Sequence, residues 1–390
     1  MDSDRRRFIK VVGVTGLAGL AGCGGGPSES TATEGDGGSD DETDEPEMTE
    51  GMTETPGDVE TTEAMTEADP TQVGMVYATG GLGDGSFNDQ AQQGLFQAEE
   101  EYDIAYQEAQ PDDVAQFGDF QQQFAQSSDP DYDLVCCIGF LQTDALTGTA
   151  ADYPEQNFML VDSVVDADNV ASYTFAEHEG SFLVGQMAGL LTTRDFSAGA
   201  GETTGDSTNV GFVGGVESDL IRKFEAGFTA GVTYADEDVD VITNYVGDFN
   251  EPSGGNEAAQ AMYDSGADIV YHAAGNTGTG VFRAAQDRGR FAIGVDRDQS
   301  VTKSSFQDVI VASMVKRVDT AVYSSIENVV NDEFQGGSVV SLGLEEDGVG
   351  IVYGQQLGSE IPDDVTGPVA DSRQAIIDGE ISVPTDPDDV

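Results

Sequence analysis

Past Gln72 the chain alternates between two hydrophobic patterns. Short continuous apolar runs read as buried parallel strands, and longer stretches with apolar positions at helical spacing read as amphipathic helices. Val73-Gly74-Met75-Val76-Tyr77-Ala78 is the first such run. Ala91, Leu95, Phe96 and Ala98 then predict a helix over about 88–101. The pattern goes on with strands over 104–108, 134–138, 157–161 and 170–175, and helices over 112–127 and 143–151. A helix over 179–191 carries small residues every few positions, which suits close packing, and a polar loop fills 196–207. A second alternation follows, with strands over 210–215, 239–245, 269–271, 291–295 and 309–314. Its helices fall over 220–234, 255–265, 281–288 and 318–330. A strand near 349–352 and a helix around 372–377 close the chain. This is an α/β pattern with parallel sheets covered on both faces. Two such halves predict two lobes with a ligand cleft between them.

The first strand-to-helix turn is Gly80-Gly81-Leu82-Gly83-Asp84-Gly85-Ser86-Phe87-Asn88-Asp89. In open α/β sheets ligands bind beyond the carboxyl ends of the strands, where this turn lies. Its glycines admit close backbone approach. Phe87 offers a flat apolar face and Asn88 an amide that donates and accepts. A phosphate loop does not fit, because the spacing is not G-x-G-x-x-G, no Lys-Ser/Thr follows, and Asp84 is acidic. Ser86 lacks the flanks of an elbow nucleophile. A purely structural turn with Phe87 in the core is the other reading. A second glycine-rich turn begins at Gly275.

Composition adds 74 acidic against 15 basic residues over 390, a net charge of −59. That argues against nucleic acid as a partner, because phosphate binding needs a basic surface. The acid is spread along the chain and suits molar salt, where the Debye length is about 3 Å and self-repulsion is screened. A salt-adapted, halophilic source is expected. After the N-terminal region only Lys223, Lys303 and Lys316 remain as lysines. Lys316 closes the strand near 309–314, and Asp296 directly follows Ile293-Gly294-Val295. Lys316 is either an ammonium needed at a strand end or an ordinary surface lysine paired with an acid.

The N terminus reads as an export signal. Arg5-Arg6-Arg7-Phe8-Ile9-Lys10 precedes the apolar run 11–21, too short for a permanent membrane span. The paired arginines resemble a twin-arginine signal, and Leu20-Ala21-Gly22-Cys23 resembles a lipobox whose Cys23 is lipidated after cleavage. Residues 24–70 hold no Lys, Arg, Phe or Tyr and are expected to be a disordered acidic tether. Cys136-Cys137 sits in a buried strand and reads as two small hydrophobes. Neither His178 nor His272 has metal-ligand spacing with these thiols.

Several stretches in order resemble the basic membrane protein (BMP) family of solute-binding lipoproteins. They are Gly85-Ser86-Phe87-Asn88, Gly139-Phe140 with Thr143-Asp144-Ala145, Glu179-Gly180-Ser181-Phe182-Leu183-Val184-Gly185, and Gly211-Phe212-Val213-Gly214-Gly215. Gly266-Ala267-Asp268, Ala274-Gly275 with Thr277-Gly278, and Gly294-Val295-Asp296 with Asp298-Gln299 complete the set. The resemblance implies a type I periplasmic-binding-protein fold, two Rossmann-like lobes that close on a ligand. The expected division is lobe one over about 71–176 plus 291–316, and lobe two over about 177–290 plus 317–390. It implies a monomer that binds a purine nucleoside and works with ABC permease and ATPase subunits. In the nucleoside receptors the residue matching Phe87 stacks on the base and that matching Asn88 hydrogen-bonds it. Those matching Asp296 and Lys316 hold the ribose, with Asp144 near the base and Gly275 in the second turn. Where bacterial members often carry an aspartate before the two-glycine turn, this chain reads Tyr77-Ala78-Thr79, which leaves base selectivity open. No catalytic constellation, cofactor or metal set is visible, so an enzyme is not expected. A sensor would share the fold but not the permease and ATPase. The expected location is the outer face of the cell membrane.

Overall fold

The computed structural model describes residues 69–390. The signal segment, Cys23 and all of the tether before Asp69 lie outside the described residues.

The chain begins with β1 (Thr71–Val76), α1 (Phe87–Glu101), β2 (Ile104–Ala109), α2 (Phe117–Ala125) and β3 (Leu134–Cys137). It continues through α3 (Thr143–Asp152), β4 (Phe158–Val161), β5 (Val170–Phe175) and the long α4 (Glu177–Thr192). A small hairpin follows, β6 (Ser197–Ala198) and β7 (Gly201–Glu202), inside the stretch expected to be loop. The second alternation runs β8 (Asn209–Gly214), α5 (Asp219–Ala235), β9 (Asp240–Tyr245), α6 (Pro252–Asp264), β10 (Ile269–Ala273) and α7 (Gly278–Arg288). Then come β11 (Phe291–Asp296), α8 (Gln299–Thr302), β12 (Ile310–Lys316), α9 (Val318–Val330), β13 (Val339–Leu342), β14 (Val349–Tyr353) and α10 (Asp363–Ile377).

Two six-stranded sheets result. The first has the order β13-β5-β4-β3-β1-β2 and is parallel throughout. The second has the order β14-β12-β11-β10-β8-β9 and is parallel except for β14, which runs antiparallel to β12. Central strands are buried on both faces, as in Leu134-Val135-Cys136-Cys137 and Phe158-Met159-Leu160-Val161. Such strands need helices above and below, which explains their continuous apolar sequence. Helix α4 packs against α5 of the second lobe through its small residues. A Cβ on Gly185 would lie 2.2 Å from the Phe228 carbonyl oxygen, so only glycine permits that approach.

The lobe boundaries differ from the expectation. Residues 291–316, assigned to lobe one, form β11 and β12 of the second sheet. There they extend an array already begun by β8 and β10, with β11 pairing on β10 and β12 on β11. Residues 317–390 do not stay in one lobe. Helix α9 packs on α1 and the first sheet, and β13 adds to that sheet beside β5. Strand β14 and helix α10 return to the second lobe. The chain therefore crosses between lobes after β5, after β12 and after β13.

Candidate functional site

The carboxyl ends of both sheets face one cleft of about 660 Å³, counting the space open to solvent. Lobe one contributes the end of β1, the glycine turn, Gly139 to Leu141 after β3, and Asp162 after β4. Lobe two contributes Leu220, Ile221 and Phe224 of α5, Phe249, the residues 273–276 at the end of β10 and just beyond it, Val295, Asp296 and Lys316. Phe87, Asn88, Gly275, Asp296 and Lys316 all line this cleft. Asp144 does not line it and is exposed in the first turn of α3. The 3-10 turn Phe140–Gln142 takes the rim instead: Phe140 and Leu141 face the cleft. Gln142 turns inward and donates to the carbonyls of Val76 and Ile138.

Two acids hold the glycine turn. Asp84 accepts from the backbone N–H groups of Ser86 and Asn88 at 2.9 Å and of Asp89 at 3.2 Å. It thereby satisfies orphan donors at the start of α1, where Ser86, the N-cap, makes no side-chain cap. Asp89 accepts from the N–H groups of Gly83 and Gly85. Burial pushes the Asp84 carboxyl above its usual range, against the amide bonds that lower it. The Asn88 amide oxygen accepts from the Ala78 N–H at 2.9 Å, and its NH2 donates to Asp84 at 3.2 Å. Asn88 thus locks the turn to the end of β1, with one amide hydrogen left for a ligand. Gly139 makes room for the Phe87 ring, since a Cβ there would lie 3.3 Å from it, at a φ of 108°.

Freed from capping, the Ser86 hydroxyl crosses to lobe two and donates to Asp296 at 2.5 Å. Asp296 has a φ of 64° and Asp162 a φ of 72°, both left-handed. Such backbone is uncommon for residues with a side chain and gathers at binding sites. Burial raises the Asp296 pKa to about 7, against the opposing pull of Lys316 and Ser86.

Lys316 is buried and spans the lobes. Its Nζ lies 2.5 Å from Asp162 and 3.0 Å from Glu177, and both carboxylates are buried. The rings of Phe175, Phe87 and Phe224 surround it, with centroids 5.0, 5.3 and 5.6 Å away. Burial alone works against its charge, but Asp162, Glu177 and Asp296 outweigh it and hold the ammonium protonated. Burial raises Asp162 in spite of Lys316. For Glu177 the two lysines prevail over burial and lower it. Lys223 completes the network, donating to Glu177 at 2.9 Å and to the Phe175 carbonyl at 3.1 Å.

The sequence reading missed Asp162, Glu177, Phe224 and Phe249 as site residues. Asp162 carried the same signal as Asp296, an acid directly after an apolar strand. Phe249 reaches across the cleft to Phe140 edge-to-face, ring centroids 6.3 Å apart at 81°. Neither histidine lines the cleft, and among the described residues no group of acids, cysteines and histidines could hold a metal.

A family model described as ABC transporter substrate-binding protein PnrA-like matches residues 71–387. The chain belongs to the Bmp family. Its relatives include the CD4+ T-cell-stimulating antigen of Listeria monocytogenes serovar 1/2a, 36% identical over 334 residues, 81% of this chain and 88% of that protein. The ABC transporter nucleoside-binding protein BmpA of Lactococcus lactis subsp. cremoris is 32% identical over 333 residues, 80% of this chain and 89% of that protein. A crystal structure of an ABC transporter solute-binding protein from Aeropyrum pernix K1 superposes with a TM-score of 0.70 at 31% identity. It covers 82% of this chain and 95% of that one. The two-lobed architecture is the type I periplasmic-binding-protein fold. As a Bmp-family substrate-binding protein it takes a small-molecule ligand and works with permease and ATPase subunits of an ABC transporter. Family and fold are those of solute-binding proteins rather than enzymes. Among the described residues no helix is long and apolar enough to cross a membrane.

Proposed function

We propose that this Bmp-family protein is a lipid-anchored receptor on the outer face of the cell membrane. It captures a purine nucleoside and delivers it to an ABC permease. One observation carries the ligand reading: Phe87, Asp296 and Lys316 meet on the wall of a single cleft. A nucleoside offers a flat base for the ring and sugar hydroxyls for a carboxylate and an ammonium. Asn88 supplies its remaining amide hydrogen to the base. Asp84, Asp162 and Asp296 outnumber the one lining lysine, which disfavours a phosphate group. The Lactococcus relative's name, a nucleoside-binding protein, supports the same reading.

The deciding experiment is a thermal-shift panel in molar KCl with nucleosides, free bases, pentoses and nucleoside monophosphates. A nucleoside at a hundred times its Kd should stabilise by about 2.7 kcal/mol. A shift with pentoses or another polar solute, and none with nucleosides, overturns the reading. Tyr77-Ala78-Thr79 holds no aspartate, where the resemblance implies that bacterial members often carry one, and this favours a second reading. In that reading the ligand is another small polar solute, sugar-like or nucleoside-like. The anchor rests on Leu20-Ala21-Gly22-Cys23. Cys23→Ser should release the protein into the medium or leave it unprocessed. Unchanged fractionation and migration would remove the anchor from the proposal.

A further inference from the structure

Lobe one's glycine turn meets lobe two through a second set of contacts, set back from the cleft wall. The Gly85 carbonyl accepts from Thr302 Oγ1 at 2.7 Å and from Gln299 Nε2 at 3.4 Å. Lys303 lays its stem beside the same residue, and a Cβ on Gly85 would lie 2.6 Å from the lysine Cε. Gln299 is itself fixed within lobe two. Its Oε1 accepts from the Val295 N–H at 2.9 Å and lies 2.9 Å from His272 Nε2. Because the backbone N–H identifies that end of the amide as oxygen, His272 Nε2 is the donor. Burial keeps His272 neutral, its pKa pulled down to about 3. The Gln299 backbone N–H donates to Ser313 Oγ at 3.0 Å. A rigid, fully buried glutamine thus presents its NH2 to the other lobe.

We propose that Gln299 and Thr302 are positioning residues: they clasp the Gly85 carbonyl when the lobes close and set Phe87 against Asp296. Phe87 lies two residues beyond Gly85, and Asp296 three before Gln299. The clasp therefore joins the two turns that carry ligand-facing side chains from opposite lobes. Gly85, Gln299 and Thr302 do not line the cleft, so their bonds form on closure whatever the cleft holds. Contacts made only in the closed form raise its population in proportion to their strength. The inference does not depend on the ligand being a nucleoside.

The test is the interlobe distance, read by pulsed electron spin resonance without added ligand. The full chain carries Cys23→Ser and spin labels at Gln122→Cys on α2 and Glu257→Cys on α6, exposed positions on opposite lobes. Cys136 and Cys137 are buried and stay unlabelled. The otherwise native chain should show a short-distance population. Thr302→Val keeps the side chain's shape and removes its hydroxyl. It should lower the ratio of short to long distances about three- to tenfold, the weight of one hydrogen bond. Thr302→Ser should restore the ratio, and Thr302→Ala should repeat the loss if valine disturbs packing. Melting temperature separates the roles, because a merely structural threonine would lower it and leave the ratio unmoved. Coincident distance distributions in native and folded Thr302→Val chains overturn the proposal. So does a native chain with no short-distance population.

Discussion

Replacing Lys316 with methionine preserves an unbranched apolar side chain and removes the charge at the centre of the cleft network. The ammonium lies 2.5 Å from Asp162 and 3.0 Å from Glu177, with all three side chains buried. Glu177 keeps Lys223 at 2.9 Å. Asp162 has no second ion-pair partner among the described residues. Removing one member of a buried pair costs about 3–5 kcal/mol, because the other charge is left uncompensated. An exposed pair would cost at most about 1 kcal/mol. The structure puts Lys316 in the first class, so Lys316→Met should lose about 3–5 kcal/mol at pH 7.5.

The loss should depend on pH with a definite sign. Burial already raises the Asp162 carboxyl, with Lys316 opposing it, so the variant raises it further. In the unfolded chain an aspartate titrates near about 3.9. Between that value and the raised folded one, the folded variant keeps a proton that the unfolded chain has released. Stability therefore falls as pH rises through the window, and the penalty fades below about pH 4. Denaturant unfolding at matched molar salt, at about pH 4.5 near the foot of the window and at about pH 7.5, compares the reduced penalty with the large one. Adding Asp162→Asn should recover part of the loss at the higher pH, since it removes the stranded charge. An equal loss at the two pH values, or one under about 1 kcal/mol at the higher, would show Lys316 solvated like a surface lysine and refute the argument.

Asp296→Asn should weaken nucleoside binding at least tenfold, about 1.4 kcal/mol, while raising ligand-free stability near neutral pH. Burial lifts the wild-type carboxyl to about 7, so its ionisation costs stability as pH climbs from about 4 to about 7; parallel melting curves across that range would contradict this. Phe87→Ala should cost about 1–3 kcal/mol of nucleoside affinity by calorimetry, and an unchanged affinity would leave Phe87 as plain core. With a net charge of −59, the protein should melt earlier at low ionic strength than in molar salt, and curves that do not move would remove the salt-adaptation argument.

The strands were legible because parallel sheets bury them on both faces, which calls for short continuous apolar runs such as Phe158-Met159-Leu160-Val161. What local pattern does not carry is the sheet each strand joins. Strands β11 and β12 look the same in either lobe, and only the pairing of β11 on β10 and of β12 on β11 decides. Strand β13 carries little sequence signal because it is an edge strand with alternating exposure and no continuous apolar run. Gly367 and Pro368 hide the first half of α10, a helix held by packing on α4 through buried Val365, Val369 and Ile376.

The same logic separates the legible from the illegible site residues. In a chain with 74 acidic residues, one more aspartate carries almost no information, so nothing in the sequence singles out Asp162 or Glu177, and Asp144 stands out only through the family resemblance. Phe224 and Phe249 resemble any core aromatic until the second lobe is placed opposite them. Lysine is the reverse case. The body has three, and all three lie at the seam between the lobes. Lys223 ties α5 to the β5 crossover through Phe175 and Glu177, Lys303 lies against the glycine turn, and Lys316 reaches Asp162. The arginines are spread more widely: Arg288 with Asp264 and Arg373 with Asp347 are exposed pairs, Arg290 reaches the buried Asp268, and Arg297 donates to Gln93 of lobe one. A lysine is a compact charge on a flexible stem, suited to a pocket of carboxylates that must be engaged as the lobes meet. In this acidic chain the lysines of the body therefore mark where the two lobes meet, and one of them, Lys316, lines the ligand cleft.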